Sequence, residues 1–180
     1  MISIVYELCL ILSCLIIIYM ATRNYDKIDI YYCTMMVMIP VIILGYWLQT
    51  RATTVEGSMV ANCFLYLDGT VLLMVTFFSM LRSFGIAIKN WMKIMGYGVA
   101  FGHCLLVWQC FGTNLYYSTV ELVQVGSATA TIKTSGPLRT IHNVFIAVMI
   151  LLLIITTIAG MFRKGNYSRK TLYNYAIICL

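Results

Sequence analysis

Asp68 stands in the middle of a long apolar run, Asn62-Cys63-Phe64-Leu65-Tyr66-Leu67-Asp68-Gly69-Thr70-Val71-Leu72-Leu73. Three other titratable residues, Glu7, His103 and His142, occupy similarly apolar surroundings. Carboxylates and imidazoles move protons, pair with cations and make charged hydrogen bonds near neutral pH. Two histidines plus carboxylates are also a zinc donor set. Nothing places these four at ligand spacing on one helix, and the chain has no HExxH, no phosphate-binding glycine loop and no nucleophile elbow. No catalytic residue, metal or cofactor is assigned on this basis. What the four residues mark is a polar site in an apolar setting, because a charge in lipid is costly and by default faces a bundle interior or a watery cavity.

The setting follows from composition. Of 180 residues, 62% are hydrophobic and 10% charged, and the mean hydropathy is +0.91. A soluble core of this length has no room for that much apolar surface, so its solvent is lipid. A membrane-crossing helix needs roughly 20 apolar residues. Five stretches qualify: Ile2–Met20, Ile30–Leu48, Met59–Leu81, Ile94–Phe111 and Ile141–Phe162. A sixth starts near Thr171 and meets the end of the chain at Leu180. Ten residues rise only about 15 Å, half a bilayer, so the chain is expected to be a fragment of a longer protein. The first span has no basic residue ahead of it, unlike a cleavable signal peptide. The seven cysteines lie in the apolar spans or at their ends and read as small packing residues.

The net charge of +6 is distributed by topology rather than gathered for nucleic acid. Loops after the first, third and fifth spans hold nine basic residues, and the other two hold three. Cytoplasmic loops carry the excess of Lys and Arg, so the odd loops face the cytoplasm and the N-terminus faces outside. Trp47, Trp91 and Trp108 fall near span ends, where amphipathic rings prefer the headgroup zone. Pro40 is expected to kink the second span. Gly98-Val99-Ala100-Phe101-Gly102 permits close approach of another helix, here expected within the bundle.

The long outer loop has its own pattern. Val120–Val125 and Ala128–Lys133 alternate and are rich in β-branched residues, and Gly126-Ser127 between them suits a primed two-residue turn. This predicts an antiparallel hairpin within 113–137. Two strands alone are marginal in water, so the hairpin should rest on the helix ends, either as a cap or as a ligand lid. Span directions put Glu7, Asp68, His103 and His142, from four helices, in the outer half of the bundle. With Tyr116 and Tyr117 they define a candidate ligand-binding pocket beneath the hairpin, with His103 the expected neighbour of Asp68. The fold class is therefore an all-α polytopic membrane bundle of five complete helices and a truncated sixth, with an extracellular β-hairpin.

Four segments resemble one family, the N-terminal seven-helix membrane region of bacterial histidine kinases and of related GGDEF or HD-type signalling proteins. They are Gly45-Tyr46 at the end of span two, Leu65-Tyr66-Leu67-Asp68-Gly69 in span three, Thr113-Asn114-Leu115-Tyr116-Tyr117 opening the outer loop, and Ser135-Gly136-Pro137 before span five. Where the family's loop-opening stretch often carries histidines, Leu115 and Tyr116 stand here. The resemblance covers most of Ile30–Met161 and implies a sensor region, 1–180 as one membrane unit, in the bacterial inner membrane. It would bind an unknown extracellular small molecule or peptide, alone or as a homodimer, and any kinase or cyclase activity would lie in a cytoplasmic domain outside this chain. The alternatives are a small transporter or channel subunit, an intramembrane metal-dependent hydrolase and a structural membrane scaffold. A transporter should show an internal repeat or paired broken helices, and the sequence shows neither.

The basic bias yields a direct test. Protease added to intact cells is expected to leave the chain uncut after Lys164 and Arg169. Cutting there in sealed cells, with the outer loop protected, reverses the orientation.

Overall fold

A computed structural model describes residues 2–24, 30–109, 113–126 and 128–162. The basic segment 163–170, the short sixth stretch 171–180, Lys27, Cys110 and Ser127 lie outside the described residues. The elements in order are α1 (Ile2–Asn24), α2 (Ile30–Arg51), α3 (Val55–Leu67), a π-helical turn (Asp68–Leu72), α4 (Leu73–Ser83), α5 (Asn90–Trp108), β1 (Tyr117–Val125), β2 (Ala128–Ser135) and α6 (Pro137–Phe162). α3, the π turn and α4 make one continuous rod, Val55–Ser83.

Local signals account for the helix ends. Thr54 caps α3, its hydroxyl accepting from the Gly57 amide at 3.1 Å, which satisfies a donor the first turn leaves open. α4 stops in a pair of backbone bonds, Gly85 N–H to Arg82 C=O and Ile86 N–H to Leu81 C=O, both 2.9 Å, the Schellman arrangement. α6 begins at Pro137, whose missing N–H costs nothing in the first turn. α2 runs from Ile30 to Arg51 through Pro40 without a break.

Among the described residues, four helices are long and apolar enough to cross a membrane: Ile2–Thr22, Ile30–Arg51, Val55–Ser83 and Pro137–Gly160. α5 is not among them, so the expected count of five complete spans plus a truncated sixth is not confirmed. Its described part carries Asn90, Lys93, His103 and three glycines in 19 residues, which dilutes its apolar character. Gly98 and Gly102 meet nothing within 4 Å, so among the described residues the expected close helix packing on that pair does not form.

Contacts along the rods show which ends lie together. Glu7, early in α1, accepts from Trp47 Nε1 at 3.0 Å and pairs with Arg51, both late in α2. Tyr6 stacks on Tyr46 at 5.6 Å. Gln49 of α2 donates to Ser58 of α3 at 2.7 Å. The hairpin, the start of α1, the end of α2 and the start of α3 therefore share one end of the bundle. Toward the other end, Tyr31 of α2 meets Phe78 of α4 with centroids 5.9 Å apart, inside a core that also holds Met35, Met74, Val75, Ala100 and Met149. Among the described side chains of α1, residues 2–22, none is buried, as suits a helix turned largely to lipid.

The hairpin forms as the alternation predicts, with Val125 opposite Ala128 and Val120 opposite Lys133. Gly126 has φ +63°, the sign a primed turn requires. Its base is closed by Gly136 N–H to Tyr116 C=O at 2.8 Å and Leu138 N–H to Leu115 C=O at 3.0 Å. The backbones come so close there that a Cβ on Gly136 would lie 2.3 Å from the Leu115 oxygen. The face turned to the helices carries Thr131 and Lys133, whereas Ile132 and Val125 are exposed on the other. Beneath it a second core gathers Met59, Val107, Tyr116 and Tyr117.

Two substitutions probe the hairpin. Gly126→Val is expected to destabilise it by about 1–2 kcal/mol through the left-handed φ, and Gly136→Ala by about 1–3 kcal/mol through overpacking. Amide exchange across Tyr117–Ser135 should accelerate in both. Unchanged exchange contradicts the turn and the closed base.

Candidate ligand pocket beneath the hairpin

Between the rod Val55–Ser83 and α6, below the hairpin, lies a cavity of about 450 Å³. Its polar wall comes from Asn62 and Tyr66 of α3, Asp68 of the π turn, Lys133 of β2 and His142 of α6. Leu65, Leu73, Ile146 and Ile150 form the apolar wall, and Tyr46 reaches in from α2. This mix of many apolar contacts with a few convergent polar groups is the ordinary character of a small-molecule site.

The roof is pinned by side-chain hydrogen bonds. Lys133 Nζ donates to Asn62 Oδ1 and lies 5.5 Å from the Tyr117 ring. Gln49 Nε2 donates to Thr131 Oγ1, and Ser58 Oγ and Thr131 Oγ1 are 2.9 Å apart. Asn62 and Ser58 are 1% and 0% exposed, so these polar groups need partners that water does not supply.

The floor of the roof is aromatic. The Tyr66 ring meets Tyr116 edge-on at 5.5 Å and His142 at 4.9 Å, and its hydroxyl meets that of Tyr117. His142 is 1% exposed, yet neither ring nitrogen has a hydrogen-bond partner among the described residues. Its Nε2 would lie 3.5 Å from a Cβ on Gly69, which sets it beside the π turn that carries Asp68. Within that turn Thr70 Oγ1 donates to the Tyr66 carbonyl at 2.8 Å and lies 3.3 Å from Cys104 Sγ of α5. π turns interrupt regular helices and recur at functional sites.

The six residues singled out from the sequence separate into three groups. Asp68 and His142 line the cavity. Tyr116 and Tyr117, 0% and 4% exposed, pack behind the wall. So does His103, whose ring stacks on Phe145 at 4.1 Å, lies 5.9 Å from His142 and has Nδ1 2.9 Å from the Val99 carbonyl. The histidine that shares the cavity with Asp68 is thus His142, where the sequence suggested His103. Glu7 is held apart, at the junction of α1 and α2 with Arg51 and Trp47. Among the described residues no three His, Cys, Asp or Glu side chains gather as a metal site.

Asn62, Tyr66 and Lys133 complete the site and were not selected from the sequence. Asn62 did carry a signal, since an amide six positions before Asp68 interrupts the same apolar run. Lys133 carried none, because alternation does not show which face of the hairpin meets the helices.

A helical membrane bundle with a walled cavity under a docked hairpin is the class of protein these features define. Residues 6–180 match the family described as the N-terminal 7TM region of histidine kinase, and the chain belongs to that family. That family is an N-terminal membrane module, distinct from a catalytic domain. No curated protein and no solved structure matches the chain.

The unpartnered ring of His142 gives a stability test. A buried imidazole without protein partners contributes no hydrogen bond and keeps its desolvation cost. His142→Phe retains the edge-on contact with Tyr66 and removes that cost. Thermal unfolding in detergent is expected to show equal or higher stability, by up to about 1 kcal/mol. A loss above about 2 kcal/mol contradicts the unpartnered assignment.

Proposed function

We propose that this chain is the sensing region of a bacterial histidine kinase of the inner membrane, with the N-terminus and the hairpin outside the cell. The cavity beneath the hairpin receives an extracytoplasmic small molecule or peptide. The observation that carries this reading is the buried His142, unpartnered on both ring nitrogens among the described residues, opening on a cavity that it shares with Asp68. Polar groups of this kind are retained in membranes where they meet a ligand, an ion or water.

Transmission follows from where the cavity lies. One wall is the π turn, and a π turn holds one residue more than the helix on either side needs. Its conversion to regular helix, or its shift along the rod, rotates α4 relative to α3. α4 packs on α6 through Met80, Phe84 and Leu153, so a rotation set at the cavity reaches the opposite end of the bundle. A ligand biases that change only by binding the two arrangements unequally. The output of this proposal is a kinase domain outside this chain. The matched family's description favours that output over a cyclic-dinucleotide enzyme.

The test is autophosphorylation of the full-length protein in membrane vesicles. Asp68→Asn and His142→Phe are expected to shift basal labelling at least about fivefold in either direction, the size of a coupling near 1 kcal/mol. Glu121→Gln, on the exposed hairpin face, should stay within about twofold, since surface changes away from special features are usually small. Unchanged labelling in both cavity variants, at normal expression, removes the cavity from the signalling path.

A further inference from the structure

The reading above leaves the ligand's chemistry open, and the cavity walls narrow it. We propose that the cavity takes an amphipathic amine, a protonated ammonium joined to a hydrocarbon portion. This inference rests on the cavity being a ligand site. Polarity is graded along its length. α6 contributes His142, Ile146 and Ile150, spaced i, i+4, i+8 on one face and rising about 12 Å. Across from them the rod contributes Asn62 at one end, Asp68 midway and Leu73 at the other. A ligand that fills this space is polar toward the hairpin and apolar toward the middle of the bundle.

The sign of its charge follows from Asp68, the one carboxylate on the described wall. It is an exposed residue that stands in no ion pair among the described residues. The basic side chains at this end of the bundle are held elsewhere: Arg51 pairs with Glu7, Arg139 stands 5.2 Å from the Tyr117 ring, and Lys133, still charged, bonds Asn62 at the hairpin end of the wall. Asn62 precedes Asp68 by six residues, about 9 Å along the rod, so Lys133 sits at the roof and Asp68 farther from the hairpin. A carboxylate at membrane depth is stabilised by a cation or by charged hydrogen bonds. An ammonium supplies both, and His142 beside Gly69 offers an acceptor nitrogen to a second N–H. An anionic amphiphile would be repelled by Asp68, and a purely apolar one would leave Asp68 and His142 unmet. Two sources present this ammonium, a free amine arriving from outside and the amine headgroup of a lipid entering between the rod and α6.

The experiment uses the full-length protein in phosphatidylglycerol nanodiscs, whose lipids carry no amine, with a photoreactive alkylammonium bearing its diazirine on the alkyl chain. Label is expected on the Ile146–Ile150 stretch of α6, displaced by unlabelled alkylammonium and not by the alkyl carboxylate of equal length. Asp68→Asn should cut labelling about tenfold, the loss of one charge-assisted contact, and Asp68→Glu should restore most of it. Labelling that is blind to the charge of the competitor overturns the proposal even if Asp68→Asn fails to fold. So does a folded Asp68→Asn protein that labels as well as wild type. Adding phosphatidylethanolamine separates the two sources: suppression assigns the site to a lipid amine, and persistence to a free one. Charge-selective labelling without any effect of cavity variants on autophosphorylation leaves the ligand class standing and removes the sensing role. Altered autophosphorylation with charge-blind labelling does the reverse.

Discussion

Buried polar groups near a membrane have no water to fall back on, and this constraint shapes the end of the bundle that carries the site. The end of α2 and the start of α3 present Gln49, Ser58 and Asn62 to a region the hairpin shields. Each needs a partner. The hairpin supplies them from Thr131 and Lys133. A two-stranded ribbon has little stability of its own, so these bonds and the Tyr116–Tyr117 core beneath it are what hold it in place. They also explain why its polar face points inward and leaves Ile132 and Val125 exposed.

Once the roof is fixed, the cavity follows. Lys133 and Asn62 close its upper edge, and the aromatic contacts of Tyr66 hold His142 against the π turn. The same π turn places Asp68 on the cavity wall and ties α5 to the rod through Thr70 and Cys104. One irregular helical turn thus carries the charged group, the contact to α5 and the contact to α6. Below it the packing is largely apolar, with Leu73, Phe77 and Ile86 packed against both the cluster of Phe78, Val75 and Met149 and that of Phe84 and Leu153, a medium that passes on displacement because it holds few voids.

Much of the fold was legible because it rests on periodicity. The apolar runs located the rods, and the alternation around Gly126 located the hairpin with its register. Depth along each span brought out Asp68 and His142, which do line one cavity. What failed depended on azimuth, the direction in which a residue points around its helix. Span length cannot show that His103 turns to Phe145, or that Glu7 turns to Arg51 and Trp47 rather than to Asp68. Nor could local pattern show the π turn, since Asp68-Gly69-Thr70-Val71-Leu72 reads as ordinary helix. Gly98 and Gly102 allowed a close crossing that no described helix makes. A small residue permits approach without requiring it.

The central claim is that Lys133 and Asn62 hold the hairpin onto α3 as the roof of the site. A double-mutant cycle with Asn62→Leu and Lys133→Met, read by thermal unfolding of the protein in detergent, measures that contact directly. The account predicts a coupling energy of about 1–3 kcal/mol, as expected for a hydrogen bond to a charged group in a shielded place. Each single variant should also speed amide exchange in β2. Effects that simply add, within about 0.5 kcal/mol, would mean that the two side chains act independently and that the hairpin is not held over the cavity by this bond.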